Sequence, residues 1–140
     1  MANSANTKPA TIAVAALRRS AARRKANKYG AKPVTVNGQA YRSKRELKRH
    51  TELQLLERAG FIADLRREVP FQLLGSQRRD DGSVEQSVTY VADYVYRDCE
   101  KGDQLVVEDV KSKATRTRDY IIKRKLMLRE HGITIREIYK

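Results

Sequence analysis

The chain has 140 residues, of which 34% are charged and 40% are hydrophobic, and its formal net charge is +13. This length suits one domain with a core of its own. No apolar run approaches the ~20 residues that span a bilayer, and the apolar stretch TIAVAAL precedes RRSAARRK without a cleavage-like site, so we expect neither a membrane protein nor a secreted one. The single cysteine, Cys99, excludes an internal disulfide and is typical of a reducing compartment.

The positive charge is concentrated at the start of the chain. Residues 1–50 contain 13 Lys and Arg and one acid, residues 51–100 have a net charge of −4, and residues 101–140 have one of +5. A basic segment beside a mixed-charge domain is typical of proteins that bind nucleic acid. A solubility tail, an acidic membrane surface and an organelle-targeting presequence are the less favoured alternatives. Because the first residues lack a core-forming pattern, we predict a basic flexible tail at 1–30 and an ordered domain at 31–140.

Turn and cap signals at the start of the ordered part predict a hairpin and then a helix. Asn37-Gly38 lies between two short β-type runs and predicts a two-residue hairpin turn. Ser43 followed three residues later by Glu46 is a capping box, so a helix begins there, and Gly60 ends it. We expect the buried face of this helix to consist of its apolar residues, Leu47, Leu53, Leu55, Leu56 and Ala59.

Four strands and a second helix follow. The segments RREVPFQLL, VEQSVTYVADYVYR and QLVVEDVKS each predict a strand, with Pro70 near an edge or a bulge. Residues 117–131 predict a helix that Gly132 ends, and ITIREIY predicts the last strand. The order after the hairpin is therefore αβββαβ, with an antiparallel meander of three strands. We expect an α/β fold, more narrowly an α+β arrangement in which helices pack on a mixed sheet.

Charged residues interrupt two of these apolar strands. Asp93 lies within YVADYVY, and Glu108, Asp109 and Lys111 lie within VVEDVK. Burying unpaired charge costs roughly several kcal/mol, so these positions need an explanation. Side chains two apart share a face of a strand, so Asp109 and Lys111 point one way and Glu108 points the other way. Asp93, on the antiparallel neighbour, is expected near Asp109, where two carboxylates and an ammonium would suit Mg²⁺ and a phosphate.

A helical acid completes this set. Glu46 shares a helix surface with Leu53, two turns on, which places Glu46 on the side that faces the sheet. A purely local role as the second partner of the capping box, worth roughly 1 kcal/mol, is an equally good interpretation. The other charged residues also have structural alternatives: Asp109 and Lys111 as an exposed ion pair, Asp93 paired with Arg97 or Lys123, and Glu108 as a solvent-facing side chain.

The order αβββαβ, with AD on one strand and EDVK on the next, resembles the PD-(D/E)XK nuclease superfamily, whose core is that of the restriction endonucleases. Asp93 matches the first acid, Asp109-Val110-Lys111 the (D/E)-x-K, and Glu46 the acid on the first helix. Ala92 stands where the motif has Pro. The adjacent acids also leave Glu108 open as the motif acid, although strand alternation favours Asp109.

More narrowly, four segments over about residues 28–140 are similar to a family of small phage and prophage proteins described as endonucleases or Holliday-junction-resolvase-like. These segments are YRSKRELKRHTELQLLERAGFI, YVADYVY, VVEDVKSKATRTRDYIIKRKLML and ITIREIY. The resemblance implies a Mg²⁺-dependent endonuclease, for which Mn²⁺ would substitute. Asp93, Asp109 and Glu46 would hold the metal and Lys111 would act at the scissile phosphate, leaving a 5′-phosphate and a 3′-hydroxyl.

The resemblance also implies the partners of the protein. A resolvase of Holliday junctions or other branched DNA would act as a homodimer, because two symmetric incisions need two active sites, and it would act in the cytoplasm of a bacterial host. The residues predicted to contact DNA follow the motif or lie in the tail: Lys113, Thr115, Arg116, Tyr120, Lys123, Arg23, Arg24 and Lys25. A non-catalytic basic DNA-binding accessory protein on the same fold is the alternative function.

Overall fold

A computed structural model of the protein describes residues 30–139. Apart from Gly30, the predicted tail lies outside this range. None of the helices within it is long and apolar enough to cross a membrane. In chain order the elements are β1 (Val34–Val36), β2 (Gln39–Tyr41), α1 (Lys44–Arg58), β3 (Ile62–Leu74), β4 (Gln77–Arg78), β5 (Val84–Glu85), β6 (Val88–Asp98), a 3-10 turn (Cys99–Lys101), β7 (Gln104–Lys111), α2 (Arg118–His131) and β8 (Arg136–Tyr139).

Four of the strands form one mixed sheet in the order β3-β6-β7-β8. β6 pairs antiparallel with β3 and with β7, and β8 runs parallel to β7 after the crossover through α2. The predicted αβββαβ order, with two helices and a mixed sheet, is therefore confirmed. β1 and β2 pair separately around Asn37 and Gly38, which both have the positive φ that a two-residue hairpin turn requires.

Three strand boundaries differ from the prediction. β3 begins earlier, at Ile62, and is an edge strand of the sheet. An edge strand tolerates Pro70, because one of its sides has no partner strand to which a backbone N–H must donate. The predicted strand at 84–97 is divided, because β5 pairs with β4 in a small hairpin and the ladder with β3 begins only at Val88. β8 starts late because the Ile133 N–H caps α2 by bonding to the Met127 carbonyl at 3.4 Å, so Ile133 belongs to the helix end.

The two helices cover opposite faces of the sheet. Val106 and Val107 are consecutive in β7 and point to opposite faces, and each belongs to a different core cluster. Leu53 of α1 packs in the cluster of Val106, and Met127 of α2 packs in that of Val107. The sheet thus has one α1 face and one α2 face.

Part of the predicted apolar face of α1 is wrong, although Leu53 is buried as expected. Leu55 is 59% exposed and Leu56 is also exposed, whereas the buried residues of the helix are His50 and Leu53. Hydrophobic periodicity predicts that the leucines form the buried face. The face of α1 that contacts the sheet instead carries polar side chains that bind buried polar groups of the sheet. One such partner is Arg49, which binds the buried carboxylate of Glu108.

Candidate active site

The candidate site lies where the ladder between β6 and β7 opens. The last pair of the ladder is Tyr94 with Glu108. Beyond this pair, a side chain takes the place of a backbone acceptor of β6. Oδ2 of Asp93 accepts a hydrogen bond from the Val110 N–H of β7 at 2.8 Å. On the other side of β6, Glu68 has a φ of 51° and no Cα partner in the ladder, although β3 keeps the same register with β6 before and after it. Irregular backbone of this kind is concentrated at functional sites.

Two carboxyl groups meet at this opening. The Asp93 and Asp109 side chains lie close enough for the charge of Asp109 to act on Asp93, and they are 11% and 4% exposed. Burial and, after it, the nearby charge of Asp109 raise the pKa of Asp93 well above its usual range. Two carboxylates this close in a buried site do not both ionise without a compensating cation. The repulsion is relieved by a proton on Asp93 or by positive charge beside the pair, and Lys111 and Arg42 are basic side chains that approach it.

Lys111 joins the pair from the same strand as Asp109. Its Nζ lies 2.9 Å from Oδ1 of Asp109, and its side chain is 14% exposed. The Tyr90 hydroxyl donates a hydrogen bond to the other oxygen, Oδ2, at 2.8 Å. Asp109 and Lys111 thus share a face, as strand alternation predicts, but their ion pair is buried, which excludes the interpretation as an exposed pair.

The structural alternative for Asp93 is also wrong. Arg97 pairs with Asp64, at 2.8 Å between Nε and Oδ2. Lys123 donates a hydrogen bond from Nζ to the Thr89 carbonyl at 2.9 Å. The charged group that does approach Asp93 is the guanidinium of Arg42, whose Nη1 lies 3.9 Å from Oδ1.

Glu46 forms one half of the predicted capping box, since its carboxylate bonds to Arg42 and not to the N-cap residue Ser43, and it also borders the site. Its N–H donates to Oγ of Ser43 at 3.2 Å, and its Oε2 accepts the Arg42 N–H at 2.8 Å. Burial raises the pKa of Glu46, and its negative charge contributes to the raised pKa of Asp93. Glu46 is therefore close enough to act on Asp93 electrostatically, while its own hydrogen bonds are local.

The donor set limits what the site holds in this conformation. Among residues 30–139, no group of three or more His, Cys, Asp or Glu side chains is placed to hold a metal ion. The Asp93–Asp109 pair supplies two hard oxygen ligands, and Mg²⁺ commonly binds through one or two carboxylates while it keeps several waters. The residues present thus fit a magnesium ion whose remaining ligands come from water and a phosphate.

The expectation that Glu108 faces solvent is wrong. Glu108 is fully buried on the α1 face of β7. Arg49 binds it through two bonds, Nε to Oε2 at 2.9 Å and Nη2 to Oε1 at 2.7 Å, and the Tyr96 hydroxyl donates to Oε1 at 2.5 Å. Because Glu108 is engaged with α1 and Asp109 contacts Asp93, the geometry favours Asp109 as the acid of the motif.

The residues predicted to contact DNA lie in several different environments. Lys113 and Arg116 are exposed in the loop before α2. Thr115 is partly buried and folds this loop, since its Oγ1 accepts the Ser112 N–H at 2.8 Å. The three basic residues of the predicted tail lie outside the part of the chain that the structure describes: Arg23, Arg24 and Lys25.

Tyr120 belongs to a network that sequence reasoning missed. It is 6% exposed, and the Lys111 Nζ lies 4.1 Å from the centre of its ring. Its hydroxyl donates to Oε1 of Glu137 at 3.0 Å, and the same oxygen accepts a charged hydrogen bond from Nη1 of Arg124 at 2.6 Å. Glu137 is the β8 residue that pairs with Asp109 in the parallel ladder. Only the register between β7 and β8 brings these side chains together, and no local pattern in the sequence signals it.

Comparisons with known proteins identify a family. A family model described as "Protein of unknown function (DUF1064)" matches residues 26–138. No curated protein and no solved structure matches the chain. The matched range includes the hairpin, both helices, the sheet up to Ile138 and every residue of the site. The chain therefore belongs to the DUF1064 family of proteins of unknown function.

Proposed function

We propose that this protein is a Mg²⁺-dependent endonuclease that hydrolyses phosphodiester bonds in DNA. The observation that carries the proposal is the buried group of Asp93, Asp109 and Lys111 where the β6–β7 ladder opens. Clustered buried acids repel DNA phosphates unless a cation lies between them. A protein that only bound DNA would have no use for such a group. The αβββαβ order, and the positions of these three residues on β6 and β7, also support the resemblance to PD-(D/E)XK nucleases.

Asp93 and Asp109 are the residues that would hold the metal, with Glu46 beside them. Each carboxylate is held by a neighbour, Asp93 by the Val110 N–H and Asp109 by the Tyr90 hydroxyl. Their positions therefore do not depend on the ion, and little reorganisation is needed when it binds. Bound Mg²⁺ would supply Lewis-acid polarisation of the phosphate and a water that loses a proton more readily.

Lys111 provides the positive charge for the phosphate. Its ammonium lies beside the acid pair and is largely shielded from water. In this low-dielectric position it would stabilise the negative charge that develops as water attacks phosphorus and the bond to the 3′ oxygen breaks. The products would be a 5′-phosphate and a 3′-hydroxyl, as the resemblance implies.

The finer part of the proposal concerns substrate and context. We propose branched DNA, such as a Holliday junction, as the substrate, a homodimer as the active form, and the cytoplasm of a bacterial host of a phage or prophage as the setting. Two symmetric incisions require two sites related by a twofold axis. The net charge of +13 supports DNA as the partner, since neutralised phosphates release counterions.

The test is single-turnover cleavage of a labelled four-way junction and of its matched linear duplex. Each is incubated with Mg²⁺, with Mn²⁺ and with EDTA. We expect metal-dependent incision, and a loss of about 100-fold or more in Asp93→Asn and Lys111→Met with DNA binding retained. Asp64→Asn and Lys101→Met remove the same charges at exposed positions and should cleave like the wild type.

The substrates separate the alternatives. Incision of the junction alone supports a resolvase. Equal incision of both substrates keeps the endonuclease and discards the preference for branched DNA. Tight binding without incision in either metal contradicts the proposal and supports the DNA-binding accessory protein.

A further inference from the structure

The Lys111 ammonium rests between two partners of different chemistry. One is the carboxylate of Asp109, at 2.9 Å, and the other is the ring of Tyr120, whose centre is 4.1 Å away. This distance is within the range of a cation–π interaction, which is strongest where water is excluded. Tyr120 is 6% exposed, so the contact is well shielded.

The hydroxyl end of the Tyr120 ring is also held by hydrogen bonds. Its hydroxyl points away from Lys111 and donates to Glu137 at 3.0 Å, and Arg124 binds the same Glu137 oxygen at 2.6 Å. The Tyr139 hydroxyl donates to the other oxygen of Glu137. Because Glu137 pairs with Asp109 across the β7–β8 ladder, the sheet sets the distance between the ring support and the acid pair. The ring is thus held at one end by the helix and at the other by the sheet.

We propose that Tyr120 is a positioning residue that holds the Lys111 ammonium at the site through the face of its ring. The inference rests on the proposed nuclease function. A metal ion held by Asp109 would compete with Lys111 for that carboxylate and would weaken the ion pair. A lysine side chain is a flexible stem with a compact charge, so without a second partner its ammonium would leave the reacting geometry. The ring is the partner that remains.

The orientation of Tyr120 makes the inference specific. The hydroxyl donates to Glu137, so Lys111 contacts only the face of the ring. A phenylalanine would present the same face to Lys111. Tyr120→Phe should therefore keep the position of Lys111, whereas Tyr120→Leu should lose it. The competing interpretation is that Tyr120 is only a core residue of the α2 cluster, which also contains Met127.

The first readout does not depend on cleavage. A proton above an aromatic ring resonates upfield, so the ε-methylene signals of Lys111, assigned by their absence in Lys111→Met, report on the contact in the intact metal-free protein. We expect the upfield shift in the wild type and in Tyr120→Phe, and its loss in Tyr120→Leu. Met127→Ala is the matched control, because it removes a buried side chain from the same helix and cluster and leaves the ring of residue 120 chemically unchanged.

The second readout is single-turnover cleavage at saturating DNA, beside the dissociation constant for the uncleaved substrate. We expect Tyr120→Leu to cleave about 10-fold or more slowly with an unchanged dissociation constant, and Tyr120→Phe to stay within about threefold of the wild type. Met127→Ala should cleave at the wild-type rate below its melting temperature.

Three results would overturn the inference. A Lys111 shift that survives Tyr120→Leu denies the contact, and a rate loss no larger than that of Met127→Ala makes Tyr120 a core residue only. A wild type that shows the shift but cleaves no DNA refutes the proposed function, and the kinetic role of Tyr120 with it. The shift and the rate therefore distinguish failure of the positioning role from failure of the nuclease.

Discussion

At the residue scale, Asp93 is held in place by contacts that do not require its charge. Its Oδ2 accepts the Val110 N–H, and burial raises its pKa. Asparagine keeps that acceptor, and its amide group can donate to Asp109 as a protonated carboxyl would. We therefore expect Asp93→Asn to raise the free energy of unfolding of the metal-free protein at neutral pH by about 1–2 kcal/mol while abolishing cleavage. Chemical denaturation in EDTA measures the change.

The same substitution at the neighbouring acid should have the opposite sign. Asp109 holds the Lys111 ammonium at 2.9 Å, and Asp109→Asn would leave that charge in a shielded position without its carboxylate. We expect the free energy of unfolding of this variant to fall by about 1–3 kcal/mol. Equal destabilisation by both variants would show that Asp93 is charged and well compensated in the metal-free protein.

The raised pKa of Asp93 also makes stability depend on pH. The folded protein binds the Asp93 proton more tightly than the unfolded chain does, so this contribution is complete below the ordinary pKa of 3.8 and is lost as pH rises through the higher folded value. We expect the wild type to lose stability relative to Asp93→Asn as pH rises from about 4. Saturating Mg²⁺ should reduce the difference. A difference that is constant with pH in EDTA contradicts the shift.

At the element scale, α1 contacts the sheet through polar groups. The Arg49–Glu108 pair joins the helix to β7, and the Tyr94 hydroxyl donates to the Glu46 carbonyl at 2.7 Å. The hydrogen bonds that Arg49 donates to Glu108 raise the pKa of Arg49, so the guanidinium stays charged in the folded protein. This attachment fixes the helix turn that carries Glu46 relative to the acids of the sheet.

Removing one partner of the Arg49–Glu108 pair should be strongly destabilising. Arg49→Met leaves Glu108 buried, with Arg136 as its nearest remaining cation at 3.7 Å. We expect a loss of about 3–5 kcal/mol in the free energy of unfolding. The double variant Arg49→Met/Glu108→Leu removes both charges and should recover much of this loss. Equilibrium denaturation of the four proteins in the cycle gives the coupling energy.

The matched control is an Arg–carboxylate pair of the same length at the surface. Arg97 and Asp64 lie 2.8 Å apart, with side chains 43% and 63% exposed. Asparagine tolerates the positive φ of Asp64, so Asp64→Asn tests the ion pair alone. We expect a change within about 1 kcal/mol. Similar losses at both pairs would mean that burial does not set the strength of the Arg49–Glu108 interaction.

The elements that sequence reasoning located correctly are those with local causes. Asn37-Gly38 defined the hairpin, Ser43 with Glu46 defined the start of α1, and Gly132, whose φ is 66°, ended α2. In each case a backbone conformation or a cap within a few residues decides the outcome. Alternation along β7 likewise sufficed to place Asp109 and Lys111 on one face.

The errors concern contacts between distant segments. Leu55 and Leu56 of α1 are exposed because the helix turns Arg49 inward to meet Glu108, which lies 59 residues away in the sequence. The role of Glu137 depends on the parallel register of β7 and β8, which the crossover sets. Hydrophobic periodicity shows where the apolar residues lie along a helix. Whether a charged side chain can be buried depends on the partner that it contacts in the folded protein.

At the scale of the whole molecule, acidic and basic groups are separated along the chain. Residues 1–30 contain seven Lys and Arg and no acid, whereas the candidate site is formed by buried acids of the sheet. The acids would attract a divalent cation, and the basic segment would attract the DNA backbone. Binding and cleavage should therefore be separable.

Deletion of residues 1–30 tests this separation. We expect weaker DNA binding and a slope of log affinity against log salt that is smaller by up to about six, since each of seven possible phosphate contacts contributes about 0.9. Single-turnover cleavage at saturating protein should stay near the wild-type rate. A full-length variant with the seven Lys and Arg replaced by Gln controls for chain length and should behave like the deletion. If either change abolishes cleavage at saturation, residues 1–30 act at the site itself, and the domain boundary at residue 31 is wrong.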